Sequence, residues 1–326
     1  MMQIFTIDRS QLPYRCLIEI AGRSCGVATN DRNLVDVLSD LRTAVEDQPG
    51  DFSMLIRVHE ESGGEEEIPH FRGLHHLVFA SFGPWNRFVF NLATRSISAA
   101  ITGDMARNRA FWYERMLPIA IGVLGATMSV LPLHAACLST QGDGLLIAGV
   151  SGTGKSTLSV ALAKSGFEFV TDDWTYITCD RDRIVAHGLH VPVKLLPDAT
   201  AHFPELRQHD LTVALNGELA YEVSPADALE LRVTRRCNPR WLVFYERVDA
   251  KPPELVKVPA QEVHKYVESS IERLPLQLPQ AAKRRDAITE RLVELPCWRF
   301  QHSGSPQLAA QTLKAFFARQ SVGVVA

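Results

Sequence analysis

The chain has 326 residues, of which 46% are hydrophobic and 22% charged, with a formal net charge of −3. That length allows one or two domains with ample core. The longest basic run, Lys283-Arg284-Arg285, reads as a solvated helix face, so no nucleic-acid surface is expected.

The N-terminal stretch 1–8 lacks the basic region and long apolar run of a signal peptide. Residues 1–130 read as a small α+β module. Runs 17–20 and 24–28 are β-prone. Leu34, Val37, Leu38 and Leu41 recur at amphipathic helical spacing. Residues 51–58 read as a strand, 62–67 as a polar turn, and 77–80 and 87–92 as further strands. No catalytic constellation falls here. Acceptor binding, assembly into a homo-oligomer and shielding of the core remain open as roles.

Residues 116–133 carry no charge and touch the length of a membrane span. Pro118, Gly122, Gly125 and Pro132 interrupt them, so the expectation is a buried helix packed under the following sheet, with no membrane crossing. A second domain is expected over 131–326. Residues 131–138 read as a strand carrying His134, and 141–144 as a hairpin turn into an antiparallel strand at 145–148.

That strand runs into Gly149-Val150-Ser151-Gly152-Thr153-Gly154-Lys155-Ser156, which matches G-x-x-x-x-G-K-[ST]. Leu158, Ala161 and Leu162 follow at helical spacing, and Gly166 sits where the helix should stop. Strand, glycine loop and helix thus occur in the order a phosphate cradle requires. Glycines let the backbone curl around the anion, amide N–H groups point inward, and the helix N-terminus adds positive potential. Gly149, Ser151, Gly152, Thr153, Gly154, Lys155, Ser156 and Thr157 are the expected nucleotide-binding residues. Lys155 is placed to reach the β- and γ-phosphates of ATP, and the Ser156 hydroxyl to ligate Mg²⁺.

Residues 167–171 are β-prone and lead into Asp172-Asp173-Trp174. Adjacent carboxylates at a strand end beside such a loop suit two tasks: holding the metal, and accepting a proton from an attacking hydroxyl. Residues 175–178 and 183–186 read as strands joined by a turn at 179–182, and 240–245 as another strand. Lys251 opens a loop into a strand ending at Val258. Helices are expected at 260–270, 280–295 and 307–319. Lys194, Arg235, Arg236, Arg240 and Arg247 are candidate acceptor-site cations that sequence does not distinguish from ordinary surface charge. The six cysteines at 16, 25, 137, 179, 237 and 297 show no C-x-x-C or Cys/His metal spacing, which argues against structural zinc and for a reduced, cytoplasmic setting.

Taken together, His134, the loop 149–156 and Thr171-Asp172-Asp173 resemble the catalytic core of HPr kinase/phosphorylase. They also resemble the P-loop core of ATP-dependent phosphoenolpyruvate carboxykinase, which shares that fold. The resemblance implies an α/β fold with a mixed sheet and a smaller N-terminal α+β domain. It implies His134 near the transferred phosphoryl, Asp172 as general base, and Asp173 with Ser156 as metal groups, the two Asp roles being exchangeable. It implies an ATP- and Mg²⁺-dependent phosphotransferase acting on a serine of a peptide or protein, reversible by phosphorolysis. The acidic-aliphatic-Arg-Gly segment of true HPr kinases is absent after the Asp pair, where 188–196 carries Val191-Pro192-Val193-Lys194-Leu195. That departure argues against HPr itself as the acceptor. A small-molecule hydroxyl kinase, an ATP-hydrolysing switch and a nucleotide-binding protein without chemistry are the competing readings.

Overall fold

Strands β1 (Tyr14–Ile20) and β2 (Arg23–Thr29) form a hairpin over Ala21-Gly22, both at positive φ, the turn that matches the natural twist of paired strands. The structure, a computed structural model, describes residues 7–43, 50–60, 69–180, 183–189, 191–214, 218–248, 252–271 and 279–322. The expected turn at 62–67 lies outside these residues, as do residues 1–6, 181–182 of the second expected turn, and Lys251. The chain divides into two units, Met1–Leu131 with Arg273–Asp286, and Pro132–Glu272 with Ala287–Ala326.

In the first unit, α1 (Arg32–Val37) starts where Asp31 accepts from the Asn33 N–H. The helical spacing of 34–41 is realised only to Val37. Beyond it the Thr43 N–H donates to the Leu17 carbonyl and Arg42 bridges Ile18, which draws the chain out of the helix toward β1. Strands β3 (Phe52–His59), β4 (His70–Leu74), β5 (Leu77–Phe82), β6 (Asn86–Asn91) and β7 (Ser96–Thr102) complete a sheet of order β1-β2-β3-β7-β6-β5-β4. Pairs β2–β3 and β3–β7 are parallel and the others antiparallel.

Thr102 caps α2 (Gly103–Arg107), and a π-helical turn over Phe111–Met116 leads into α3 (Leu117–Leu124) with Pro118 in its first turn. The uncharged stretch 116–133 is therefore only partly helical. Gly125–Met128 tightens to a 3₁₀ turn, and Ser129 at φ 56° redirects the chain into a strand. Within its own unit α3 packs against β6 of the first sheet. Among the described residues no helix is long and apolar enough to cross a membrane.

Strand β8 (Val130–Thr140) enters the second unit at Pro132 and passes through Gln141-Gly142 into β9 (Asp143–Ala148), antiparallel as expected. The turn needs only those two residues; Asp143 and Gly144 already belong to β9. There follow α4 (Lys155–Lys164), β10 (Glu168–Thr171), β11 (Trp174–Asp180) and β12 (Arg183–His187). A small sheet holds β13 (Val193–Leu195), β14 (Thr212–Val213) and β15 (Leu219–Val223). The long β16 (Arg236–Arg247), then β17 (Glu254–Lys257), α5 (Ala260–Ser269), α6 (Pro279–Val293), β18 (Cys297–His302) and α7 (Pro306–Val322) end the described chain.

Strands β9, β16 and β18 run parallel side by side, with β8 antiparallel on the other edge of β9. Leu158 and Leu162 of α4 and Leu313 and Phe317 of α7 belong to one buried cluster with Leu145 and Ile147 of β9. Burial of side chains of this size contributes about 1.5–3 kcal/mol each. The fold is a mixed α/β one with more than one mixed sheet, and it fixes the carboxyl end of β9 where the glycine loop begins.

Candidate active site

The backbone of Gly149 passes so close to β16 that a Cβ there would lie 2.5 Å from the Tyr245 carbonyl oxygen. The chain then turns through an exposed Ser151-Gly152 tip. Thr153 Oγ1 donates to the Val150 carbonyl at 2.8 Å, closing the loop on itself. Gly154, at φ 89°, sits at the N-cap of α4, a backbone region that favours glycine. No side chain caps that end of α4, so its first N–H groups face the loop. Lys155 is 7% exposed, and its Nζ donates to the carbonyls of Gly149 (2.9 Å) and Val150 (3.3 Å). Ser156 and Thr157, half-buried, complete the first turn.

Asp172 and Asp173 occupy a two-residue break between β10 and β11. The Asp172 side chain turns inward. The residue is 4% exposed, and the Ser156 side chain beside it favours its charged form. Burial raises this carboxyl to about 7. The Ser156 side chain and the Lys155 charge oppose the rise, and the Asp173 charge adds to it. Lys155 is itself lowered by burial, with the charges of Asp173 and Asp172 holding it up.

Asp173 turns the other way. Its side chain is about half exposed, and Oδ1 lies 2.9 Å from His134 Nε2. The His134 ring stacks on Trp174 with centroids 5.2 Å apart and planes at 26°. Two backbone anchors set this geometry. The His134 N–H donates to the Ser270 carbonyl at 2.7 Å, and Thr175 Oγ1 donates to the Ala135 carbonyl at 2.6 Å. The strand that carries the histidine is thereby bolted to the segment that carries the aspartates.

The structure thus brings the sequence-predicted residues together: Lys155 and Ser156 through Asp172, and His134 through Asp173. Sequence reasoning gave no part to Trp174, Thr175 or Ser270. Only Trp174 carried a signal, as an aromatic directly after the acidic pair. Of the five candidate acceptor cations, Lys194 pairs with Glu218 (2.7 Å) and Arg240 with Asp143 (3.0 Å), the latter at the opposite end of β9 from the loop.

Among the described residues no group of three or more His, Cys, Asp or Glu side chains forms a metal cage. The neighbouring hydroxyl of Ser156 and carboxylate of Asp172 are hard oxygen donors of the kind Mg²⁺ uses when substrate phosphates and water fill its other positions. The donor set fits that ion.

No protein-family model matches the chain. Over 77 residues it is 36% identical to the HPr kinase/phosphorylase of Lachnoclostridium phytofermentans, a match covering 24% of this chain and 23% of that protein. The match thus spans about a quarter of the relative's length. A solved structure, the Hpr(Ser) kinase/phosphatase from Coxiella burnetii, aligns with 58% of this chain and 98% of its own at 14% identity and a TM-score of 0.31, too low to carry an argument. Over those 77 residues the chain is similar to an HPr kinase/phosphorylase.

Proposed function

We propose that the chain is an ATP-dependent phosphotransferase with a P-loop core of the HPr kinase/phosphoenolpyruvate carboxykinase type, which moves the γ-phosphoryl of ATP to a hydroxyl, that of a serine in a peptide or protein. One observation carries the reading: the glycine loop opens onto an uncapped helix N-terminus, with one aspartate on Ser156 and the next on His134.

In this account the phosphates lie against the N–H groups of the loop and of the first turn of α4. Lys155 Nζ exchanges its two loop carbonyls for phosphate oxygens. Ser156 and Asp172 would hold Mg²⁺, which neutralises phosphate charge when bound. The exchange of aspartate roles that the sequence left open is favoured by exposure. Asp172 is buried on Ser156, whereas Asp173 faces outward beside His134, where an incoming hydroxyl can reach it. Asp173 takes the acceptor proton as the oxygen forms its bond to the γ-phosphorus and the bond to the ADP oxygen breaks. His134 orients that carboxylate, and Lys155 balances charge on the phosphoryl oxygens.

The residues before about 130 are assigned to acceptor binding or assembly, and cysteines that form no disulfide among the described residues fit a reducing cytoplasmic setting. Incubation of the full chain with γ-labelled ATP and host lysate tests the proposal. Label on a serine of a peptide or protein is expected, and must disappear with Lys155→Ala. Release of phosphate at a rate no lysate fraction or hydroxyl compound alters would favour an ATP-hydrolysing switch instead.

A further inference from the structure

A cleft of about 400 Å³ opens within the second unit, away from the glycine loop. The register of β9 on β16 fixes its place. Asn238, which lines it, pairs with Asp143 at the start of β9, whereas Phe244 pairs with Ala148, the last residue before the loop. At roughly 3.3 Å per residue, these two ends of β9 lie about 15–20 Å apart.

Three arginines line the cleft from three different elements: Arg183 at the start of β12, Arg240 on β16 and Arg291 on α6. Glu294 is the one acid in the lining. Arg240 commits its Nε to Asp143 at 3.0 Å, and Arg291 gives an Nη1 to Glu294 at 3.3 Å. Both pairs are more than a third exposed, so they hold the side chains in place without contributing much stability. The Asp143 pairing leaves the terminal nitrogens of Arg240 as further donors, since a guanidinium has five N–H groups. Asp143 and Glu294 offset the charge of two of these arginines, which lets three of them border one concavity.

We propose that this cleft is a second anion site, separate from the glycine loop, which takes a compact oxyanion of the phosphate or carboxylate type through guanidinium forks. A volume of this size suits a small molecule. The residues are not among those that would hold ATP, so the inference stands apart from the phosphotransferase reading.

The test uses the full-length chain with Lys155→Ala, which disables the glycine loop as a competing phosphate site. Pyrophosphate and citrate are titrated separately by calorimetry, and the anion that binds names the source of the oxyanion. At least one is expected to bind, and about tenfold more weakly or worse when Arg183→Ala or Arg240→Gln is added, as loss of a charge-assisted hydrogen bond requires. Arg183→Ala guards against a folding artefact, since that side chain is exposed at a strand end. MgATP binding to the Arg183→Ala chain with Lys155 intact should be unchanged, so the cleft and the loop can fail independently. Absence of binding by both anions, or binding indifferent to both arginine substitutions, overturns the proposal.

Discussion

His134 Nε2 and Asp173 Oδ1 stand 2.9 Å apart, and this contact separates the surroundings of two aspartates that are neighbours in sequence. In an extended chain successive side chains point to opposite sides. The break between β10 and β11 therefore sends one carboxylate inward to Ser156 and the next outward to the histidine. The same alternation that makes the pair look redundant in sequence makes it asymmetric in space.

Two substitutions should consequently differ in kind. Asp173→Asn should leave MgATP affinity within about twofold while lowering transfer by about 10²–10⁴, the usual worth of a positioned base. Asp172→Asn should weaken MgATP binding itself, because it removes a charged oxygen donor beside Ser156. Calorimetry run beside turnover checks both. The opposite pattern would restore Asp172 as the base.

Stability should depend on pH through Asp172. Its carboxyl lies at about 7 in the folded chain against an ordinary 3.8. Between those values the folded state keeps a proton that the unfolded state has released. This group's contribution is therefore full below about pH 4 and declines as pH rises through about 7, by a few kcal/mol in order of magnitude. Asp172→Asn removes the dependence while preserving an acceptor beside Ser156. In metal-free buffer the variant's gain in Tm over the native chain should grow from about pH 4.5 to about pH 8. Parallel curves would show that Asp172 ionises without cost.

Gly149→Ala should be destabilising although alanine is the smallest change available. The new methyl would meet the Tyr245 carbonyl at 2.5 Å, and that carbonyl belongs to the backbone of a central strand, which cannot swing aside. Overpacking of this kind costs about 1–3 kcal/mol. A Tm lowered by several degrees is expected. An unchanged Tm would mean that the loop and β16 are not held in this register.

Trp174 should matter through His134. Trp174→Ala removes the stacked surface 5.2 Å from the histidine ring, whereas Trp174→Phe keeps an aromatic face there. Transfer should fall about tenfold or more with alanine, recover largely with phenylalanine, and leave MgATP affinity unchanged in both. Equal activity of the two variants would remove stacking from the account.

The strand, glycine loop and helix over 145–166 were legible because several local signals agreed. Leu145 to Ala148 form a continuous apolar strand, the glycines permit the loop, and Gly166, at φ 117°, ends the helix at the expected place. The hairpin that places His134 antiparallel to that strand followed from Gln141-Gly142. Strand β18 gave no clear signal. Cys297 to His302 is six residues long, interleaves Arg299 and Gln301 with aromatics, and becomes a strand by pairing in parallel with β16, 55 residues away. Strand β7 is rich in Ser and Ala and is made by its neighbours β3 and β6. The arrangement around His134 was hidden for the same reason: Ser270 and Thr175 anchor it through contacts that no local pattern encodes.

Calorimetric titration of MgATP into the native chain and into the Lys155→Ala chain tests the central claim most directly. The native chain should bind one equivalent, and loss of the buried ammonium at the loop should weaken binding by about tenfold or more. Equal affinity in the two chains would mean that the polyphosphate does not lie in the 149–156 loop.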